Sequence, residues 1–325
     1  MTRRWQVGAM MVALWGCASR PARLVVVGSS LAETVSFLGD SLYAIPLTGS
    51  GGPERMRWLT AAREALARDT TNLTARLRLA RITADLGRFR EAIGQYNRML
   101  EAHFSDARVL RGRGEVLLRM RLLDQALGDL RKAGLLAIGR GPILETESLL
   151  GESADSAAGL SFTTVQFRTF FFQGIAHYCR GEYATAYPVF AEAARVAQTT
   201  DDQVRAILWL FFSARRIGAG EEGARVLELV NPEWAQRSDL AELWLLFGYK
   251  GLIPTDTIRQ LARSRSDEVG ALLSYGLAYS LLLRPDRRTD AEPWLERARS
   301  GGNWSTLPYL AAEADLARLR GRIVR

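Results

Sequence analysis

Residues 174–193 read GIAHYCRGEYATAYPVFAEA, and this stretch decides the fold. Small and aromatic residues recur at helical spacing on both sides of Gly181, which is typical of two antiparallel helices joined by a tight turn. Glycine suits the turn because it adopts a left-handed backbone without steric penalty. We expect Gly174 and Ala186 to face each other where the helices cross, and Phe190 to fill the space beside the next hairpin. The stretch therefore predicts a packed helical hairpin.

The same spacing recurs along the chain with a period of 34 residues. Ala126 follows Ala92 by that distance, and the apolar residues around the two alanines match. Weaker copies are centred on Gly223 and Ala291, and a further hairpin is predicted between them. A repeat of this length indicates a solenoid, in which each hairpin buries its apolar face against its neighbours. Since strong helix formers dominate the composition, the fold class is predicted to be all-α.

Three segments resemble tetratricopeptide repeat proteins, whose repeat length is also 34 residues. They are LGRFREAIGQY (Leu86–Tyr96), TTVQFRTFFFQGIAHYCRGEYATA (Thr163–Ala186) and GGNWSTLPYLAAEADLAR (Gly301–Arg318). From about residue 31 to residue 320, the chain is similar to a poorly characterised group of exported bacterial tetratricopeptide proteins. The resemblance implies a right-handed superhelix of antiparallel helix pairs that acts as a scaffold or adaptor, with no assigned enzymatic activity.

The N-terminus is predicted to be a signal peptide of the lipoprotein type over residues 1–16. Two arginines precede an apolar run, residues 5–15, that is too short to span a bilayer. The junction before Cys17 resembles the bacterial lipoprotein cleavage box, although Trp15 departs from that pattern. We therefore expect Cys17 to carry lipid and to anchor the chain in the bacterial cell envelope, facing the periplasm. A soluble secreted or periplasmic protein and an uncleaved anchor are the alternatives.

The repeats divide the rest of the chain into predicted segments. These are a tether and lead-in (17–53), N-terminal tetratricopeptide-like hairpins (54–137), an inserted loop (138–164), and C-terminal hairpins with a capping helix (165–325). The insertion is inferred because Ala126 and Ala186 lie 26 residues further apart than one repeat. Long loops in compact domains are either flexible or functional. The insertion is therefore predicted to be a flexible surface loop or one that contacts the groove or a partner.

Both ends of the solenoid carry further predictions. Leu31–Thr48 is predicted to be a short helix with an extended lead-in. Glu54–Arg68 is predicted to be a single helix that caps the first hairpin. Asn303–Arg320 is predicted to be a closing amphipathic helix with one polar face, as the exposed ends of solenoids require.

No catalytic group is recognisable in the sequence. His103 and His177 have no acid and nucleophile at triad spacing, and two histidines with two cysteines make no metal-binding pattern. Cys179 lies among aromatic residues and is expected to be buried and inert. The net charge of +8 is moderate, and no basic arm or aromatic RNA-binding signature accompanies it. We therefore expect no enzymatic activity, no cofactor, no metal and no nucleic-acid partner.

The concave face is the predicted binding site, because the first helix of each hairpin lines it. By periodicity the inward residues are Arg81, Arg108, Arg111, Arg119, Arg168, Phe171, Tyr178, Arg205, Phe212 and Arg215. Arginine pairs with carboxylates through two parallel hydrogen bonds, and aromatic faces bury apolar groups. We therefore expect a protein or peptide partner whose extended, possibly acidic, segment lies in this groove. Alternatively, several of these arginines pair with local acids such as Glu115.

The two-carboxylate clamp of better-known tetratricopeptide proteins does not carry over, because Leu77 and Arg81 stand at its positions. The competing function is that of a structural subunit, which would dock through its repeat surfaces in a larger envelope assembly. The oligomeric state is left open by the sequence.

Overall fold

The computed structural model describes residues 31–45, 52–145 and 163–324, and it confirms the all-α prediction. Fourteen α-helices lie in the described residues: α1 (Gly52–Arg68), α2 (Leu73–Asp85), α3 (Phe89–Ala102), α4 (Ala107–Arg119), α5 (Leu123–Ala137), α6 (Val165–Arg180), α7 (Tyr183–Val196), α8 (Thr200–Arg216), α9 (Gly220–Glu228), α10 (Ala241–Tyr249), α11 (Thr255–Ser264), α12 (Glu268–Leu282), α13 (Glu292–Arg299) and α14 (Leu307–Leu319). Short 3₁₀ helices, Pro232–Gln236 and Pro285–Ala291, precede α10 and α13. Two two-residue strands, β1 (Thr34–Val35) and β2 (Ser41–Leu42), pair antiparallel.

The helices pack as hairpins in chain order. α2 packs on α3, α4 on α5, α6 on α7, α8 on α9, α10 on α11 and α12 on α13, with α1 before the first hairpin. Most successive hairpins are joined by contacts between the second helix of one and the first helix of the next, such as α5 with α6 and α7 with α8. The described chain is thus a tetratricopeptide-like solenoid of helical hairpins.

The α6–α7 hairpin shows why the sequence folds this way. Gly181 caps α6 with φ of 81°, in the left-handed region, and its N–H bonds back into the last turn of the helix. A Cβ on Gly174 would lie 2.6 Å from the ring of Phe190. Gly174 therefore leaves room for the ring of Phe190 across the hairpin. Gly112 accommodates Tyr96 between α3 and α4 in the same manner.

The last helix, α14, lies inside the solenoid, so its prediction as an amphipathic cap is wrong. Every residue from Pro308 to Ala317 is buried. The helix packs against α12 and α13 and also against α6, from which it is far removed in sequence. Its alanines permit this close approach from several sides. The repeats therefore wrap around their own C-terminal helix.

Two of the buried residues of α14 are carboxylates, and each is held by arginine. Asp315 lies on the side of α6, where its Oδ2 is 2.6 Å from Nη2 of Arg216 and 3.0 Å from the hydroxyl of Tyr275. The hydroxyl of Tyr275 is also hydrogen-bonded to that of Tyr178, at 2.8 Å. Arg318 approaches the other oxygen of Asp315 at 2.8 Å. Buried charges persist only when they are paired and hydrogen-bonded in this way.

The lead-in is a β-hairpin instead of the short helix predicted for Leu31–Thr48, and it docks on α14. The backbone N–H of Phe37 donates to Oε1 of Glu313 at 2.6 Å. Arg121, in the α4–α5 turn, donates from Nη2 to Oε2 of the same carboxylate at 2.8 Å. Trp304 donates from Nε1 to the carbonyl of Tyr43 at 2.7 Å. We call Phe37, Arg121 and Glu313 the terminal clasp, because they join the first described segment to the last helix.

The predictions for the signal peptide, Cys17 and Trp15 lie outside the described residues. Within the described ranges, none of the helices combines the length and apolar character that a membrane crossing requires.

Candidate functional site

Two adjoining cavities lie between the first helices of the hairpins and the approach to α14. One, of about 320 Å³, is lined mainly by α2 and α4, and the other, of about 560 Å³, mainly by α6, α8 and the starts of α10 and α12. Arg81, Arg119 and Glu268 line both cavities, so we treat the two as one concave channel. Each cavity lies within the range of about 300–1,000 Å³ that is typical of ligand sites.

Most of the predicted groove residues line this channel. They are Arg81, Arg111, Arg119, Arg168, Phe171 and Arg205. These six residues lie on α2, α4, α6 and the beginning of α8.

The arginines converge on Glu115, as the alternative interpretation had it. Arg168 Nη2 lies 2.6 Å from Glu115 Oε2, and Arg119 Nη2 lies 2.9 Å from Oε1. Arg111 Nη1 is 3.1 Å from Oε2. Arg111, Glu115 and Arg119 follow one another at four-residue spacing on α4, which places them on one face of the helix. Arg168 reaches the same carboxylate from α6.

A second carboxylate, Glu145, comes from the insertion 138–164 and was not predicted. Its side chain is fully buried, Arg111 donates to its Oε2, and Nη1 of Arg81 lies 3.6 Å from the same oxygen. The N–H of Glu145 donates to the carbonyl of Thr163 at 3.1 Å, so the two ends of the insertion meet at the channel. Glu145 does not occupy a recurring position of the 34-residue repeat. In the sequence it is recognisable only as an acid within a long insertion. We call Arg81, Arg111, Arg119, Arg168, Glu115 and Glu145 the arginine cluster.

The arginine cluster carries four guanidinium groups against two carboxylates, and Asp85, 4.0 Å from Nε of Arg81, adds a third, so four positive charges stand against three negative ones. Burial opposes ionisation of Glu115, but Arg168, Arg119 and Arg111 together hold its pKa well below the usual range. Burial lowers the pKa of Arg81, and the positive charge of Arg168 lowers it further. Glu115 and Asp85 oppose this lowering, so Arg81 lies among charges of both signs where the two cavities meet.

The other end of the channel is acidic. Asp202, Asp239 and Glu242 line the second cavity, and Glu268 lies where the two cavities meet; we call these four carboxylates the acidic end. Arg205 stands among them, with its Nε 3.8 Å from Oε1 of Glu242. Burial raises the pKa of Asp202 and of Glu242, and Glu268 raises that of Glu242 further. Phe167, Phe171, Phe172 and Trp209 also line this cavity as an aromatic wall, and each is at most 5% exposed.

Four of the predicted groove residues lie elsewhere. Tyr178 and Phe212 are completely buried in the aromatic core beneath α14. They therefore offer no surface to a partner, and their prediction as groove residues is wrong. Arg108 lies outside the channel and pairs with Asp106, the N-cap of α4, at 2.8 Å. Arg215 is exposed at the end of α8, and its stem packs against Gly223.

The side chains of His177 and Cys179 have structural roles. Nδ1 of His177 lies 2.6 Å from Oε2 of Glu182, and burial lowers the pKa of the imidazole. Burial raises the pKa of the Cys179 thiol to about 12, which keeps it protonated and unreactive. Among the described residues, no three His, Cys, Asp or Glu side chains are grouped closely enough to hold a metal ion.

Comparisons with known proteins add little to this description. No family model matches the sequence, and no curated protein matches it. Among solved structures, the chain is similar to a tetratricopeptide repeat protein from Parabacteroides merdae, with 16% identity and a TM-score of 0.43. The match covers 79% of this chain and 90% of that one. Because the TM-score is low, the class of the fold rests on the hairpins themselves.

Proposed function

We propose that this chain is a non-enzymatic scaffold that binds an extended segment of a partner protein in the concave channel. The observation that carries the proposal is the net positive arginine cluster, which opens into a channel with an aromatic wall. Charged groups steer a partner and fix its register, while aromatic surface supplies buried contact.

Arg81 is the proposed anchor for a carboxylate of the partner. It lines both cavities and its side chain is 23% exposed, whereas that of Arg111 is only 3% exposed. Arg111 and Arg168 contact Glu115 and Glu145 closely, so their charge is largely compensated within the protein. A partner carboxylate beside Arg81 would relieve the repulsion among the guanidinium groups.

Arg168 is a poor position for a test substitution, because it forms an ion pair with Glu115. Replacing Arg168 by glutamate would place a third carboxylate beside Glu115 and Glu145 and would disturb folding. Neutral replacement of Arg81 avoids this difficulty. Arg108 is a matched control, because its side chain is similarly exposed at 29% and it lies outside the channel.

The test is selection of capped eight-residue peptides from a random library on the immobilised full chain. We expect enrichment of peptides that contain Asp or Glu, with affinity that falls as salt rises. Arg81→Gln is expected to weaken the selected peptides about tenfold or more, which is about 1.4 kcal/mol, while Arg108→Gln leaves them unchanged. Failure to enrich any peptide, or equal loss in the two variants, would contradict the proposal.

We further propose that the scaffold is held in the cell envelope by lipid on Cys17. The proposal is supported by the charged and apolar N-terminal sequence described above. Between Cys17 and Thr34, where the β-hairpin begins, the 16 residues would span at most about 60 Å if fully extended. The channel would then work close to the membrane surface. Mass analysis of the membrane-extracted protein tests the anchor.

A further inference from the structure

We propose that the acidic end of the channel is a subsite for an organic cation, which deepens the proposed function and rests on it. The ligand chemistry is an ammonium or guanidinium group on a long aliphatic stem. The partner segment would then carry a carboxylate at the arginine cluster and a lysine or arginine at the acidic end, instead of being uniformly acidic.

The carboxylates come from separate elements that converge on one cavity. Asp202 lies in the first turn of α8, Glu242 in that of α10 and Glu268 in that of α12. The positive N-terminal end of a helix favours an acid in its first turn, and this accounts for the position of each of the three acids taken singly. It does not explain why all three line the same cavity, since acids in a first turn are usually exposed to solvent.

Asp202 supplies an acceptor that the described protein leaves unused. Asp202 is only 2% exposed, and its Oδ2 makes no hydrogen bond among the described residues. The hydroxyl of Thr163, which also makes no hydrogen bond among the described residues, lies close enough to lower the pKa of Asp202. A buried carboxylate oxygen without a donor costs about 1–3 kcal/mol or more. A ligand N–H group would satisfy it.

Four guanidinium groups and four carboxylates line this cavity, but most of the arginines pair elsewhere. Arg81, Arg119 and Arg168 form ion pairs with Glu115 or Glu145 at the arginine cluster. Arg205 pairs with the acidic end, where its Nε lies 3.8 Å from Oε1 of Glu242. One additional positive charge would therefore bring the acidic end closer to neutrality.

The neighbouring aromatic wall favours an organic cation over a bare metal ion. Phe171 and Phe172 line the same cavity and make its wall apolar, although both rings are almost completely buried. Leu272 and Pro308 offer apolar surface along which a lysine or arginine stem would lie. The carboxylates themselves are not grouped at metal-binding distances within the described residues.

The subsite also has an expected pH dependence. Burial raises the pKa of both Asp202 and Glu242; Arg205 opposes this at both, while Glu268 and Asp201 add to it at Glu242. The cation binds the ionised carboxylates, so its affinity should rise as the pH rises through their raised pKa values. Arg168 and Asp239 face the same cavity and set the background charge.

The experiment compares selected peptides on three forms of the full chain. The test variant is Asp202→Asn with Glu242→Gln, which removes two charges without changing shape. The control is Glu228→Gln with Glu233→Gln, which removes two exposed charges outside the channel. Because the test carboxylates are destabilised by burial, the test variant should melt no lower than the wild type, and this verifies its folding.

We expect the wild type and the control to select peptides with Lys or Arg at a fixed spacing from Asp or Glu. The test variant should retain the acidic preference, lose the basic one and bind the bipolar peptide at least tenfold more weakly. Selection of acidic peptides without any basic preference would overturn the subsite but leave the proposed function intact. If no peptide is enriched, the proposed function fails, and titration with spermidine decides the subsite. Spermidine binding that the test variant loses would support a free polyamine as the cation, and its absence would overturn the subsite.

Discussion

Replacing Glu313 by alanine removes the carboxylate at the centre of the terminal clasp. Glu313 is completely buried and accepts from the backbone of Phe37 and from two nitrogens of Arg121. The Arg121 side chain is only 3% exposed, and its Nη2 also donates to the carbonyl of Trp304. The substitution therefore leaves a buried guanidinium without its counter-ion and a backbone N–H without its acceptor.

The expected loss is large. Removing one partner of a buried ion pair costs about 3–5 kcal/mol, and the orphaned N–H of Phe37 alone accounts for about 1–3 kcal/mol. The two effects overlap, because the same carboxylate serves both donors, so we expect about 3–5 kcal/mol in total. That is a large part of the roughly 5–15 kcal/mol by which native proteins are stable.

Urea denaturation followed by circular dichroism measures this loss. The control is Glu292→Ala, which removes an exposed partner of Arg320 at 2.7 Å and should cost less than about 1 kcal/mol. Hydrogen exchange should also show residues 31–45 losing protection in Glu313→Ala. If Glu313→Ala costs no more than Glu292→Ala, the terminal clasp does not hold the ends of the solenoid together.

Three further predictions follow from individual residues. Ala186 is completely buried in the α6–α7 hairpin, so Ala186→Leu should destabilise the chain by about 1–3 kcal/mol through overpacking. A thermal melt with an unchanged midpoint would mean that the hairpin register is wrong. The depressed pKa of Glu115 means that its stabilisation is present above its unfolded pKa of about 4.3 and lost as the pH falls towards the folded pKa. Acid titration of unfolding should therefore be less steep in Glu115→Gln, and an unaltered slope would refute the coupling. Cys17 should be the lipidated N-terminus of the mature protein, and a mature chain that starts after Cys17 would contradict this.

The hairpins were predictable because their signals are local. Gly181, Tyr183 and Phe190 lie within one hairpin, and their spacing reflects the packing of two adjacent helices. The inward faces of α2 and α4 followed from the same period, which is why Arg81 and Arg119 were placed correctly in the channel.

The path of α14 was not predictable by the same reasoning. Alanine is compatible with an exposed or a buried helix, and Glu313 and Asp315 suggest a polar face when their distant partners are unknown. Arg121 and Arg216 meet these acids only in the folded chain. Because the periodicity does not reveal what fills the inside of a solenoid, Tyr178 and Phe212 were assigned to an open groove that α14 and its neighbours fill.

The most direct test of the account is photo-crosslinking of a selected bipolar peptide to the full chain. Val269 lines the second cavity and is partly exposed, so p-benzoylphenylalanine placed there should crosslink the peptide. The same group at Leu229, which is 58% exposed and outside the channel, serves as the control. We predict crosslinking from Val269 but not from Leu229, with strong reduction when Arg81→Gln is added. Equal crosslinking from the two positions, or crosslinking from Leu229 alone, would contradict the assignment of the concave channel as the binding site.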